Sequence, residues 1–406
     1  MQVKRRTLLG SAAVSAVSVP QRIRAQARTI QVGVLNDQSG PYQNTSGMLS
    51  VAAVRQAVQD AGDLGFPVEV LIGDHQNKPD LGAALARQWI DREGVDMIID
   101  VPTSSVALAV NTIMRAGNKV YVNTGSAAVD LTGSQCTPNT IHWSYDTSML
   151  AKSSGGAIVR AGGTSWYFIS ANYVFGQQLQ RDTTAIVTAP GGTVLGASVY
   201  PFPGTTDFSS FLLSAQASGA KVLGLANAGA DTVNAVKQAA EFGLAGQMRI
   251  AALLTLINDV HGMGLQVAQG LFLTESFYWD MNDGTRAFAG KLRKTMPDKC
   301  PNMTTAADYA GTLHFLRAVK DMGVPAAKAD GAAVVARMKA MPAEDDCFGR
   351  TVIREDGLAL VPAYLFQVKT PAESKGAWDY YKLVATTPAA EAWTPLAQGG
   401  CPLVRY

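Results

Sequence analysis

The chain reads as an α/β protein built from two doubly wound, parallel-sheet lobes joined by short crossings. Two observations predict this. Short apolar runs suited to buried strands alternate with helix-spaced Ala/Val-rich segments from residue 29 to residue 253. That alternation is the pattern of parallel sheets with right-handed crossovers and helices on both faces. The alternation also falls into two sets, each too large to share one sheet, with no low-complexity linker between them.

Ahead of the fold, residues 1–27 read as an export signal. Lys4, Arg5 and Arg6 form a basic start, a modestly apolar stretch covers 7–20, and Ala25 and Ala27 place small residues at a cleavage site after Ala27. The Arg5–Arg6–Thr7–Leu8–Leu9 run is close to a twin-arginine pattern, and the general secretory route stays open beside it.

The first set opens with a strand over 29–35, broken by Asn36–Asp37–Gln38–Ser39–Gly40–Pro41. A helix over 47–61, a strand over 68–72, a helix over 81–91, a strand over 95–99, a helix over 105–115 and a strand over 120–122 follow. The second set starts with a helix over 149–160. Strands are expected at 166–169, 193–199, 222–225 and 250–253, with helices over 177–187, 208–217 and 231–242. In the last third, helices over 305–322 and 332–340 precede two apolar runs, 351–353 and 364–368. The Glu355–Asp356–Gly357 turn between those runs predicts an antiparallel hairpin.

Composition narrows the function. The formal charge of +2 includes five bases and no acid in residues 1–27, so the remainder carries −3. A negative balance argues against nucleic acid as a partner. No GxSxG elbow, phosphate loop, HExxH helix or GxGxxG turn is present, and the four histidines (75, 142, 261, 314) have no ligand spacing. No catalytic residue, metal ligand or cofactor is therefore assigned. Cys136, Cys300, Cys347 and Cys401 form an even set without a CxxC pair, which in an exported protein predicts two disulfides. Of the three connectivities, Cys300–Cys347 with Cys136–Cys401 is the favoured one.

Small polar residues recur instead at the carboxyl ends of the strands, where open parallel sheets bind ligands. Residues 37–42, 102–105 and 124–128 do so in the first set, and 170–173 and 226–229 in the second. The 102–105 segment opens a helix, whose positive end holds an anion without Lys or Arg. Tyr42, Tyr173, Phe175, Phe277, Tyr278 and Trp279 supply flat side chains near these ends. Together they describe a cleft for a small amphipathic solute.

Several stretches carry a resemblance: NDQSGPY at 36–42, DHQNKPD at 74–80, VPTSSVALAV at 101–110, LTGSQCTPNTIHWSYDT at 131–147, LANAGADTVNAVKQAAEFG at 225–243 and YLFQVKTPAESKGAWDYY at 364–381. Across everything after the signal, the chain resembles the type I periplasmic solute-binding proteins of ABC importers, the branched-chain amino acid receptor group. The phrases are similar to its aromatic-carboxylate subgroup. The resemblance implies a non-enzymatic, monomeric, periplasmic receptor whose lobes, linked by a three-crossing hinge, close on a small-molecule carboxylate and present it to a membrane permease. It implies a first lobe of 28–144 plus 275–326 and a second of 145–274 plus 327–406. By position it places Ser104, Ser105, Ser126 and Ala128 on the ligand carboxylate and Phe175 with Tyr173 in the second lobe; Tyr42, Asn172, Asn227, Thr255, Phe277 and Tyr278, at or near the strand ends, complete the expected ligand-binding set. Amino-acid-binding members use an acid after the strand that here ends at Leu253–Leu254–Thr255. None stands there, so the ligand expected is an aromatic carboxylate of benzoate or phenylpropenoate type rather than an amino acid or amide. A ligand-sensing module and a secreted hydrolase are the rival classes.

Overall fold

The computed structural model describes residues 28–405; the expected export signal lies outside the described residues. The first sheet has five parallel strands in the order β2-β1-β3-β4-β5. These are β1 (Ile30–Asn36), β2 (Val68–Asp74), β3 (Met97–Asp100), β4 (Val120–Asn123) and β5 (Thr140–His142). β1 is buried along its whole length, as a strand covered on both faces should be. Helices Gly47–Asp60, Pro79–Gln88 and Ser104–Ala116 cover the faces. β5 has no counterpart among the sequence-predicted strands. It is only three residues long, too short for an alternation to show.

The second sheet has four parallel strands, order β7-β6-β8-β9: β6 (Ser165–Ala171), β7 (Thr193–Tyr200), β8 (Val222–Ala226) and β9 (Arg249–Ala252). Helices Val174–Thr188, Ser209–Ala217 and Ala230–Glu241 alternate with them. Two lobes of α/β type result. No helix among the described residues is long and apolar enough to cross a membrane.

The last third departs from expectation in three places. β12 (Gly349–Ile353) does turn back through Glu355–Asp356–Gly357, but it pairs with β13 (Ala359–Leu360). The other run, β14 (Ala363–Val368), joins a different antiparallel sheet, between β10 (Phe272–Glu275) and β15 (Tyr381–Thr387). Only two residues separate β13 from β14, so the break between sheets leaves no sequence signal. Second, residues 331–360, expected with the second lobe, pack on the first. The Gly331 N–H donates to the Asn118 carbonyl at 3.1 Å, and Leu358 forms a parallel bridge with His142. A side chain at 331 would lie 2.6 Å from that same carbonyl oxygen, so the contact needs glycine.

Third, Cys136 and Cys401 form a disulfide, whereas Cys300 and Cys347 are buried free thiols. The expected second bridge is absent because the two thiols belong to different cores. Cys300 packs with the cluster around Ile169 and Phe366, Cys347 with the separate cluster around Trp143 and Phe315. The one bridge fastens the C-terminal strap, which leaves β15 in the second lobe, back onto the first.

Candidate functional site

The carboxyl ends of the two parallel sheets face one cleft. On the first lobe, the loop after β1 is organised by Asp37, which is wholly buried. Its carboxylate accepts the N–H groups of Gly40 at 2.7 Å and Tyr42 at 2.8 Å, and the Asn77 amide at 2.9 Å. That turn delivers Tyr42, Thr45 and Ser46 to the cleft; Pro102 after β3 and Gly125 and Ala127 after β4 complete the wall, with Tyr145 from the first crossing and Thr304 from the start of helix Met303–Met322. The second lobe contributes Tyr173 and Phe175 after β6, Ala228 and Gly229 after β8, and Leu254, Leu256 and Asp259 after β9. The space among these residues, with its mouth, is about 400 Å³.

The lobes touch across the mouth. The Tyr42 and Tyr173 hydroxyls share a hydrogen bond, and the Ala230 N–H donates to the Pro41 carbonyl at 3.0 Å. Gly229 has φ +61°, and a Cβ there would stand 2.5 Å from the Pro41 oxygen, so only glycine allows this approach. Phe202 stacks on Tyr173 with ring centres 4.3 Å apart and lies 5.7 Å from Tyr42, closing the mouth with three rings.

Electrically the lining is sparse. It contains no Lys, Arg or His, and its only carboxyl is Asp259. Burial pushes that carboxyl up to about 7, although the Leu256 N–H, 2.9 Å away, favours its charged form. Burial likewise raises Tyr42, Tyr145 and Tyr173, so all three remain neutral donors.

Of the sequence-predicted site residues, Tyr42, Tyr173 and Phe175 line the cleft. Ser104 and Ser126 lie behind the wall, bonded to each other at 3.1 Å, and Ser126 also accepts the Ala128 N–H. Ala128 belongs to the first-lobe core with Val106 and Leu131, and Ser105 stands one residue past Ser104 in the first turn of its helix, outside the lining. Asn172 is exposed, its N–H on the Tyr200 carbonyl. Asn227 is buried and accepts from Thr232, and Thr255 is buried beneath β9. Phe277 packs against Phe288, and Tyr278 against Phe366 and Tyr381, in the lobe cores. Each of the five strand-end segments contributes at least one residue to the cleft lining, and within several of them that residue stands one or two positions from the one expected.

Asp259 corrects a firmer expectation. An acid does reach the cleft, four residues beyond Thr255, because helix Ile257–Met263 starts there and turns its first-turn carboxylate back onto the Leu256 amide. Thr45, Ser46, Leu254, Leu256 and Thr304 also escaped notice. No motif marks them, and only the folded chain brings residue 304 beside residue 125.

A profile of the family described as "Periplasmic binding protein" matches residues 29–377. A periplasmic binding protein of Burkholderia mallei is 43% identical, with a TM-score of 0.88, over 93% of this chain and 100% of that one. A branched chain amino acid ABC transporter periplasmic ligand-binding protein of Burkholderia xenovorans is 35% identical, TM-score 0.78, over 92% and 99%. A solute-binding protein of an ABC transporter from R. palustris, solved with benzoate, is 19% identical, TM-score 0.80, over 92% and 100%, a likeness of fold.

Proposed function

The chain belongs to the periplasmic binding protein family, and on that premise we propose that its cleft captures a small aromatic carboxylate of the benzoate or phenylpropenoate type for an ABC importer. Membership makes it a non-enzymatic solute receptor and implies a periplasmic location. The observation that carries the ligand class is the lining itself. Tyr42, Tyr145, Tyr173 and Phe175 supply four rings in a site with no cationic side chain. Flat apolar walls suit a flat ligand. Its carboxylate is held by the Thr304 hydroxyl and by the amino end of helix Ser104–Ala116, whose N-cap Thr103 follows the lining residue Pro102. Asp259, pushed up to about 7 and so divided between its two forms near neutral pH, faces the far end, where it takes a hydrogen bond from a ring hydroxyl or gives one. The benzoate complex of the R. palustris protein supports the reading to the extent that this fold encloses such a ligand.

Capture proceeds by lobe closure. A ligand shifts an open–closed equilibrium only by its differential affinity for the two states, so contacts from both walls must contribute. The protein acts as a monomer and reaches the periplasm by the twin-arginine or general secretory route.

A second reading, a branched-chain or other amino acid, is favoured by Asp259 in its charged form, which would hold an ammonium, and by the Burkholderia xenovorans relative. A thermal-shift screen of ligand-stripped protein separates the two. A ligand at 100 times its Kd adds about 2.7 kcal/mol, a shift of several degrees. Shifts with benzoate, 4-hydroxybenzoate and phenylpropenoates are expected; shifts confined to leucine, isoleucine and valine would replace the aromatic reading.

A further inference from the structure

Beneath the first-lobe wall lie two carboxyls with no counter-charge. Asp100, at the end of β3, and Asp308, in helix Met303–Met322, are both completely buried, and neither forms an ion pair among the described residues. One oxygen of each is satisfied. Asp100 Oδ2 accepts from Asn36 Nδ2 at 2.9 Å and from the Ser46 hydroxyl, and Asp308 Oδ1 accepts from Thr124. The other two oxygens, Asp100 Oδ1 and Asp308 Oδ2, have no partner in ordinary hydrogen-bond geometry among the described residues, and the Ser50 hydroxyl stands beside both carboxyls, where it favours their charged forms. The remaining titratable neighbours of the pair are Asp37, Tyr121 and Tyr145, none of which supplies a positive charge. Two adjacent buried carboxylates cannot both stay ionised in such a place.

The cleft wall hangs on this pair. The Asp100 side chain holds Ser46. Its backbone carbonyl accepts the N–H groups of Thr124 and Gly125, and Thr124 in turn reaches Asp308. Asp100 and Val101 both adopt left-handed conformations (φ +82° and +60°) that non-glycine residues seldom take, and they aim Pro102 into the cleft. A Cβ on Gly125 would stand 2.5 Å from Asp100 Oδ1 and 2.8 Å from the Pro102 Cα, so little room remains for the carboxyl to move without moving the wall. Ser46, Pro102, Gly125 and Thr304, four lining residues from four segments, thus meet on the two acids or on the turn of helix that carries one of them.

We propose that Asp100 and Asp308 hold one shared proton and act as positioning residues for the ligand-binding wall, which loses its shape when that proton leaves at alkaline pH. The inference rests on the cleft being the binding site proposed above. Burial supports it by pushing Asp100 up to about 6 and Asp308 well above the usual carboxylate range. Replacing either acid by its amide puts a fixed N–H donor where the shared proton sits.

Infrared titration of ligand-free protein reads the proton directly. Relative to wild type, D308N and D100N should each lack one protonated-carboxyl stretch, the one that wild type loses above neutral pH. In the same samples, methyl NMR signals of Thr45 and Thr304 should shift over that pH interval in wild type and stay still in D308N. With Asp259 changed to Asn so that no cleft carboxyl titrates, benzoate affinity should fall about tenfold per pH unit beyond the pair's midpoint, the slope for one linked proton, and the fall should be absent when D308N is added. Wild-type stretch intensity in both variants would overturn the shared proton, and methyl signals that ignore the titration would overturn the positioning role. Failure of benzoate to bind at any pH would count against the proposed ligand, while the infrared and NMR results would still decide the pair.

Discussion

The two walls of the cleft are built on opposite principles. The first-lobe wall is a polar lattice in which Asp37, Asn77, Thr103, Asn36, Asp100, Thr124 and Asp308 lock one another through buried hydrogen bonds. The second-lobe wall is mainly rings and aliphatic groups (Tyr173, Phe175, Phe202, Leu254, Leu256) with Asp259 as its one carboxyl. Buried polar networks are rigid when satisfied, whereas apolar walls tolerate repacking at modest cost. The contrast teaches a division of labour. One wall is held in place by hydrogen bonds, and the other is shaped by apolar packing.

Four experiments would break or sharpen that contrast. The largest effect is expected from Asp37→Ala, which strands the Gly40 and Tyr42 N–H groups and the Asn77 amide. Urea denaturation should show a loss of about 3 kcal/mol or more; a loss under 1 kcal/mol would mean that the first wall is not a lattice. Next, the double change Cys136→Ser with Cys401→Ser frees the C-terminal strap from the first lobe, closing no loop across 265 residues of sequence. A loss of about 2–4 kcal/mol is expected, read as the difference in denaturation midpoint under oxidising conditions. An unchanged midpoint would show that the strap's other contacts suffice.

Third comes the acid of the second wall. Its carboxyl is pushed up to about 7, so between the ordinary carboxylate range and pH 7 the folded protein holds a proton that the unfolded chain has released. Stability therefore falls as pH rises through that window and levels off above it. Asp259→Asn removes this penalty, and its stability relative to wild type should improve between pH 4 and pH 7 by about 1.4 kcal/mol per pH unit, roughly 4 kcal/mol in all, and then level off. An advantage that does not vary with pH would mean Asp259 is ionised throughout. The smallest effect is expected from Tyr173→Phe, which deletes only the hydroxyl bonded to Tyr42. Ligand dissociation should quicken about fivefold, in line with one hydrogen bond of about 1 kcal/mol, with the melting temperature of the unliganded protein little changed.

The same contrast explains what could be read from the sequence. All strands of both parallel sheets except the three-residue β5 were legible, because a strand buried on both faces, such as β1, is a continuous apolar run, and the intervening helices keep their own period. The strand ends were legible as small polar segments, and Tyr42, Tyr173 and Phe175 followed from them. The position of Ser104 and Ser126 was not legible, because a buried serine pair behind the wall has the same sequence as a pair facing the cleft. Asp259 and Thr304 were invisible since each reaches the cleft through a helix start whose direction only tertiary packing sets. The free thiols Cys300 and Cys347 show the limit of counting, as an even number of cysteines says nothing about which cores they occupy.

The most direct measurement is a calorimetric titration of the ligand-stripped protein with benzoate and, separately, with leucine at pH 7. Saturable one-to-one binding of benzoate, weakened by Phe175→Ala and absent for leucine, is the expected result. Saturable binding of leucine with none of benzoate would contradict the aromatic reading of the cleft and make Asp259 the anchor of an ammonium group instead.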